Sequence, residues 1–408
     1  MEIKEKQTQP VKHTKYLPLA AGIYLNYAIL GMATIIVSQY GTQFQSLWHT
    51  DVKGISTVIA MIGIGRLLTI LVAGYLSDRL GRKGTMLIGM AAQIFFLSGL
   101  FISPNLISAC IAALFMGATN SFGDTASYPA LTDAFKDQAA SMNSLVKAAM
   151  SLAQFILPFI VAAQPNSRIT LIIMIVVMIL DIVLIIFTKF APQPTIMYRE
   201  KTGTTTVSKI DHPSGAHPSM LIDGTLLIAV GFTLSFTFYI FSQYAPNFGI
   251  SVLRLSDHGA KSLISWYAMA SLVSVFITSS LVTRIKPIKL IFFYTLVSFL
   301  SLLQMVLVPS AIGARLAAVA IGFFAAGGIW QLGLTLLSQY FPAEKGKVTG
   351  YYSFATALTF FVGPLVSSFI IDETATSVLR VFKIDTAVTL LSLVIVIVLM
   401  LRNRKFSN

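Results

Sequence analysis

The sequence predicts an all-α polytopic membrane protein: twelve transmembrane helices in two six-helix bundles, with both chain termini in the cytoplasm. Three observations carry this. Of 408 residues, 55% are hydrophobic and only 11% charged, too little charge to cover the surface of a soluble domain of that size. Apolar runs of about 20 residues, the length needed to cross a hydrocarbon core about 30 Å thick, recur along nearly the whole chain. The basic residues fall in alternate connections between those runs.

Taken in order, the first six runs cover 17–45, 54–77, 84–103, 106–134, 139–163 and 169–189. The second six cover 221–248, 260–283, 288–308, 311–340, 347–370 and 379–401. Between the sets lies a stretch with no apolar periodicity, containing Pro192, Pro194, Arg199, Glu200, Lys201, His212, Pro213 and His217, the composition of a linker. The expected organisation is an N-terminal tail over 1–16, a first bundle over 17–189, a cytoplasmic linker over 190–220, a second bundle over 221–401 and a tail over 402–408. With the N-terminus inside, about 20 of the Lys and Arg residues fall on the cytoplasmic side and about 7 outside, as the positive-inside rule requires.

A formal charge of +13 would suggest nucleic acid as the partner of a soluble protein. Here the cations sit in short segments between apolar runs, so the expected partner is the lipid bilayer. The only cysteine, Cys110, lies inside an apolar run and rules out an intrachain disulfide. Residues 1–16 carry Lys4, Lys6, Lys12 and Lys15 with no short apolar segment and cleavage site after them, so no signal peptide is read. The five histidines are assigned to termini, linker or loops, no metal-ligand spacing occurs, and no metal or cofactor is expected.

Between the second and third runs stands Gly74-Tyr75-Leu76-Ser77-Asp78-Arg79-Leu80-Gly81-Arg82-Lys83. The segment must end one helix, turn tightly and start another at the membrane surface. Gly74 permits close helix contact, Gly81 supplies the turn, and the cations hold the loop inside. At every defining position it resembles the G-x-x-x-D-R-x-G-R-R/K signature of the major facilitator superfamily. That resemblance implies a transporter of two halves working by alternating access, and for Asp78, Arg79 and Arg82 a latch between the halves that closes in one state. The second half has only a degenerate copy, Thr283-Arg284-Ile285-Lys286-Pro287, without the acid.

Ionisable groups at membrane depth are functional candidates by default. Counted along their helices, Arg66 comes to roughly 18 Å from the cytoplasmic surface, and Asp124 and Lys147 to roughly 12–14 Å. Arg66 or Lys147 is expected to bind a substrate carboxylate and Asp124 to carry the proton. A self-neutralising Arg66–Asp124 pair is the structural alternative. Asp181, in the sixth run, is a second proton-coupling candidate. Around them Asn26, Tyr27, Asn120, Tyr128 and Gln154 in the first half, and Tyr239, Gln243, Trp330, Gln331 and Tyr352 in the second, are candidate substrate contacts, beside Tyr244 and Tyr351.

Four stretches, Ile62–Leu67, Asn120–Leu131, Gly327–Leu336 and Phe341–Ser353, resemble a group of bacterial inner-membrane transport proteins within the same family. That group is associated with quinate, shikimate and related aromatic acids. This fits the cationic layer, and the expected function is proton-coupled import of a small hydroxylated or aromatic carboxylate; the chain is expected to act as a monomer. An exporter of drugs or metabolites, or a sugar permease, is the alternative; the fifth run, around Ala153–Pro158, lacks the glycine-rich run of drug/proton antiporters. An intramembrane aspartyl protease fits poorly, since Ser121-Phe122-Gly123-Asp124 lacks the first glycine of that motif.

Overall fold

A computed structural model of the chain describes residues 13–135, 138–192, 218–282, 284–341, 345–372 and 374–407. Residues 1–12, most of the predicted linker (193–217) and residue 408 lie outside the described residues.

The first bundle comprises α1 (Leu17–Gln39), α2 (Gly41–Trp48), α3 (Val52–Arg79), α4 (Gly81–Ile102), α5 (Leu106–Ala134), α6 (Ala139–Ala163) and α7 (Ser167–Phe187). A single π turn, Met220–Gly224, leads into the second: α8 (Thr225–Ser251), α9 (Asp257–Leu281), α10 (Pro287–Leu307), α11 (Ala311–Ala320), α12 (Ile329–Tyr340), α13 (Lys345–Ile370) and α14 (Ala375–Ser407). Among the described residues, eleven helices are long and apolar enough to cross a membrane.

The run expected as one helix over 311–340 is interrupted. A π segment, Ile321–Ala326, follows α11, and α12 restarts after Gly327 and Gly328. The cause is steric: a side chain on Gly327 would run into Ser274, and one on Gly328 into Thr278, both on α9. Ser274 Oγ donates to the Phe323 carbonyl at 2.6 Å, giving a partner to one backbone group in the break.

The helix starts differ between the two ends of the molecule. At the end opposite the chain termini, α3, α5, α7, α9 and α11 are capped by Asp51, Asn105, Asn166, Ser256 and Ser310, each accepting a backbone N–H. These caps offset the orphan donors of a helix end. At the terminal end, α1 and α10 begin with proline in the first turn, and α4 begins at Gly81, whose φ of 81° only glycine adopts cheaply.

Two long seams join the bundles, α3 along α13 and α6 along α9, with a shorter contact of α1 on α8. They are tight at mid-depth and towards the capped end. Gln243 Nε2 donates to the Thr34 carbonyl at 3.1 Å and Ser265 Oγ to the Phe155 carbonyl at 3.0 Å, while the Ser151 and Ser271 hydroxyls lie 3.3 Å apart. A side chain on Gly63 would collide with the backbone of Phe360 and Phe361.

Towards the terminal end the α3–α13 seam opens. Gly74 lies eleven residues beyond Gly63, on the same helical face and about 16 Å further along the axis, yet nothing comes within 4 Å of where its side chain would be. Gly350, eleven residues before Phe361 on the facing helix, is equally open. Among the described residues no other helix is therefore in contact at Gly74, and the α3–α13 seam is open there.

Candidate functional site

Where the seam begins to open, α3 and α5 bring Arg66 and Asp124 together. Arg66 Nη2 donates to Asp124 Oδ2 at 2.9 Å, and Tyr27 Oη, from α1, donates to Asp124 Oδ1 at 2.8 Å. Close packing makes this possible: a side chain on Gly117 of α5 or Gly65 of α3 would meet the backbone of the other helix, and Ser121 Oγ donates to the Arg66 carbonyl at 3.0 Å. The side chains are 14% and 34% exposed, so the pair is neutralised but not sealed.

The second bundle completes the site with aromatic side chains. The Arg66 guanidinium lies 4.7 Å from the centre of the Phe360 ring, and Tyr239 packs on that ring at 4.4 Å. Phe360 thus stands between a cation of one bundle and a phenol of the other. Two buried polar atoms there have no hydrogen-bond partner among the described residues, Arg66 Nε and Tyr239 Oη. A buried donor without an acceptor is costly, and the two mark where an incoming acceptor gains most.

The other predicted residues divide. Tyr128 joins the site through its ring, 5.8 Å from that of Tyr27. Trp330 Nε1 reaches Thr356 Oγ1 at 3.5 Å, and Tyr352 Oη donates to the Trp330 carbonyl at 3.2 Å, a second aromatic group about two turns of α13 from Phe360. Gln243 belongs to the seam, bonded to α1. Asn120 donates to its own helix at Met116, and Asn26 lies against Met178 Sδ within the first bundle. Lys147 and Gln154 on α6 make no ion pair or hydrogen bond among the described residues, so Lys147 does not join the Arg66–Asp124 pair. Asp181 is fully buried, without a hydrogen-bond partner among the described residues, in the first bundle where α7 meets Gly22 of α1; it is not at the inter-bundle site. The Gln331 side chain lies outside the described residues. His258, assigned to a loop by sequence, opens the first turn of α9.

Several contacts of the signature loop lie within the first bundle. Lys83 Nζ donates to the carbonyls of Ile186 and Thr188, capping the end of α7. Arg79 lies over the Tyr75 ring at 4.6 Å, and Arg82 Nη1 donates to Ser77 Oγ. The Asp78 side chain lies outside the described residues.

Phe360 was not among the sequence candidates. The chain has 29 phenylalanines, and nothing in the local pattern separates this one from lipid-facing neighbours. Asp385 was also missed: it lies in α14, fully buried, and in the sequence it follows Arg380 and Lys383, so that it reads as one more charge at a helix end.

Comparison with known proteins agrees with this architecture. The sequence model described as Major Facilitator Superfamily matches residues 18–325 and 316–407. Among known protein sequences the chain is 32% identical to the Escherichia coli K12 inner membrane transport protein YdiM, over 96% of this chain and 95% of that protein. It is 30% identical to YdiN of the same organism, over 95% and 91%. Among solved structures, a D-xylose–proton symporter superposes with a TM-score of 0.73 at 15% identity, over 93% of this chain and 97% of the other, a likeness of fold.

Proposed function

Because the chain belongs to the major facilitator superfamily, and so is a multi-pass transporter of the cell membrane rather than an enzyme, we propose that it imports a small organic carboxylate by proton-coupled alternating access. The observation that carries this reading is the Arg66–Asp124 pair, 2.9 Å apart, at the point where the second bundle's Phe360 covers the cation.

Two anions compete for one guanidinium. While Asp124 is ionised it holds Arg66. When Asp124 takes a proton its charge is lost, and Arg66 is released to grip a substrate carboxylate in two-point fashion. Tyr27 remains beside Asp124 in either form, since a phenol both donates and accepts. Tyr239 Oη, without a partner, is placed to bond a hydroxyl or carboxyl of the substrate, and Phe360, Trp330 and Tyr352 offer ring faces. This favours a hydroxylated or aromatic acid of the shikimate, quinate or hydroxybenzoate kind. Asp181 remains a second candidate proton carrier, and Lys147 a second cation for the substrate.

With the termini placed in the cytoplasm, the parted end faces inward and the capped, tight end faces out. The substrate would leave through the gap between α3 and α13, and closing that gap would bring Gly74 and the signature loop onto α13. One chain contains both bundles, and the transporter is taken to act as a monomer.

The test is uptake of labelled shikimate, quinate and hydroxybenzoates into proteoliposomes, with and without an inward proton gradient. One acid is expected to accumulate only with the gradient. Asp124→Asn should abolish accumulation while keeping counterflow, and Arg66→Ala should abolish both. If no carboxylate is carried, and neither substitution alters uptake of whatever solute is, the pair is structural and the substrate class is wrong.

A further inference from the structure

The second bundle holds a buried acid that the inter-bundle site does not use. Asp385 on α14 is 0% exposed, and neither of its carboxyl oxygens has a hydrogen-bond partner among the described residues. It heads a polar stripe on an apolar helix: Thr389 and Ser392 follow at four and seven residues, on the same face, and both are fully buried. The stripe spans about 10 Å along the axis.

Opposite it, α8 presents Thr237, also fully buried, whose hydroxyl lies 2.6 Å from that of Thr389. Thr237 Oγ1 also contacts the Thr233 carbonyl at 3.2 Å, and Thr389 Oγ1 the Asp385 carbonyl at 2.7 Å. Two hydroxyl protons thus serve three contacts. What the hydroxyls have left to offer is lone pairs, which suit an O–H donor and not a second anion. Ser392 Oγ, at the far end of the stripe, has no hydrogen-bond partner among the described residues.

Among the described residues no cation is paired with Asp385: on α14 itself Lys383 and Arg380, two and five residues away, are exposed and form no ion pair with it. The helices packed on α14 are α8, α10 and, more lightly, α13. On α8 the ionisable side chains are Tyr239 and Tyr244. On α10 they are Lys289, which is exposed, and Tyr294, bonded to Thr278. On α13, Tyr351 is exposed and Tyr352 is bonded to the Trp330 carbonyl, while the side chains of Lys345 and Lys347 lie outside the described ones. The nearest described ion pair on this seam, Arg402 with Asp223 at 2.6 Å, is seventeen residues along α14, roughly 25 Å away. A bare carboxylate in such a place is among the most expensive groups a protein can hold.

We propose that Asp385, flanked by the hydroxyls of Thr237 and Thr389, is a proton-binding site of the second bundle, loaded while the α8–α14 seam is dry and emptied when water enters along Thr389 and Ser392. On emptying, the carboxyl O–H bond breaks, the proton passes to water as hydronium, and the electron pair stays on Asp385. The site goes beyond the exchange at Arg66 and Asp124, and it rests on the proton-coupled reading only for its use in transport.

Infrared pH titration of the full chain in proteoliposomes tests this with protons as the only probe, so it does not depend on knowing the substrate. The carboxylic-acid carbonyl band at neutral pH should lose one component in Asp385→Asn and keep it in Asp124→Asn. That component should exchange slowly with deuterium, and Thr237→Val should shift its pH midpoint. Thr237→Val also serves as the readout if Asp385→Asn does not fold. A band unchanged in Asp385→Asn, or a midpoint unmoved in Thr237→Val, would overturn the proposal. So would loss of the component on adding sodium at fixed pH, which would make this a metal-cation site. Absence of any gradient-driven uptake by the wild type would count against the proposed function and leave this result standing.

Discussion

At the level of single residues, the Arg66–Asp124 pair separates structural from functional roles. Arg66→Ala leaves Asp124 facing Tyr27 without its cation. Because Asp124 is one-third exposed, the expected cost is about 2 kcal/mol, below the range for a sealed pair. It should be read as a lower midpoint of thermal unfolding in detergent. The double variant Arg66→Ala/Asp124→Ala is expected to regain most of that stability and none of the transport. If the double variant transports, the pair is only structural. Tyr27→Phe removes a hydrogen bond to a charged acceptor, worth about 1.5–3 kcal/mol, and should change the pH dependence of uptake more than its maximum. Counting rises along helices was enough to put Arg66 and Asp124 at similar depth, since both stand in regular helix. Depth alone leaves open which way Lys147 faces around its helix, and among the described residues it forms no ion pair with Asp124. Asp385 escaped for a different reason: with Arg380 and Lys383 just before it, it has the pattern of charges at a helix end, and only the packing of α14 shows it buried.

At the level of helices, the two glycines of α3 make opposite predictions. Gly63 is in contact with the α13 backbone, and Gly74 is in open space. Gly63→Val should therefore force the capped end apart. In a Cys110→Ala background, labelling of Thr34→Cys by an impermeant maleimide is expected to rise, and no rise would show that the α3–α13 contact does not hold that end shut. Gly74→Val should fold with a loss below about 1 kcal/mol, since nothing surrounds it, but should prevent the opposite end from closing and so abolish transport. Normal transport by Gly74→Val would mean that α3 and α13 never meet there. The helices themselves were largely legible: α5 and α6 begin and end where the apolar runs do, because Asn105, Asp133 and the following polar residues mark the boundaries. The break at Gly327-Gly328 was not, though both residues were in view, because two glycines in an apolar run read equally as close packing or as a stop. Only Ser274 and Thr278 on α9 decide between them.

At the level of the whole molecule, the α6–α9 seam offers a direct test of relative motion. The hydroxyls of Ser151 and Ser271 lie 3.3 Å apart, so Ser151→Cys/Ser271→Cys, with Cys110→Ala, puts two thiols side by side across the seam. Oxidation is expected to stop transport and reduction to restore it; undiminished transport in the crosslinked state would mean that the seam need not separate. Overall, a two-bundle chain was readable from the spacing of the apolar runs, whereas the tilt of one bundle on the other was not, because the same residues must serve both states.

That tilt has a mechanical corollary. If the bundles rock about the Gly63–Phe360 contact, each residue travels in proportion to its distance from that fulcrum. Arg66 is three residues from Gly63, about 4–5 Å along the helix, and Gly74 about 16 Å. The lever arm at the outer glycine is therefore between three and four times that at the charged pair. A wide swing at the surface becomes a slight one at the pair, so a solute held there keeps its bonds while the two doors change over.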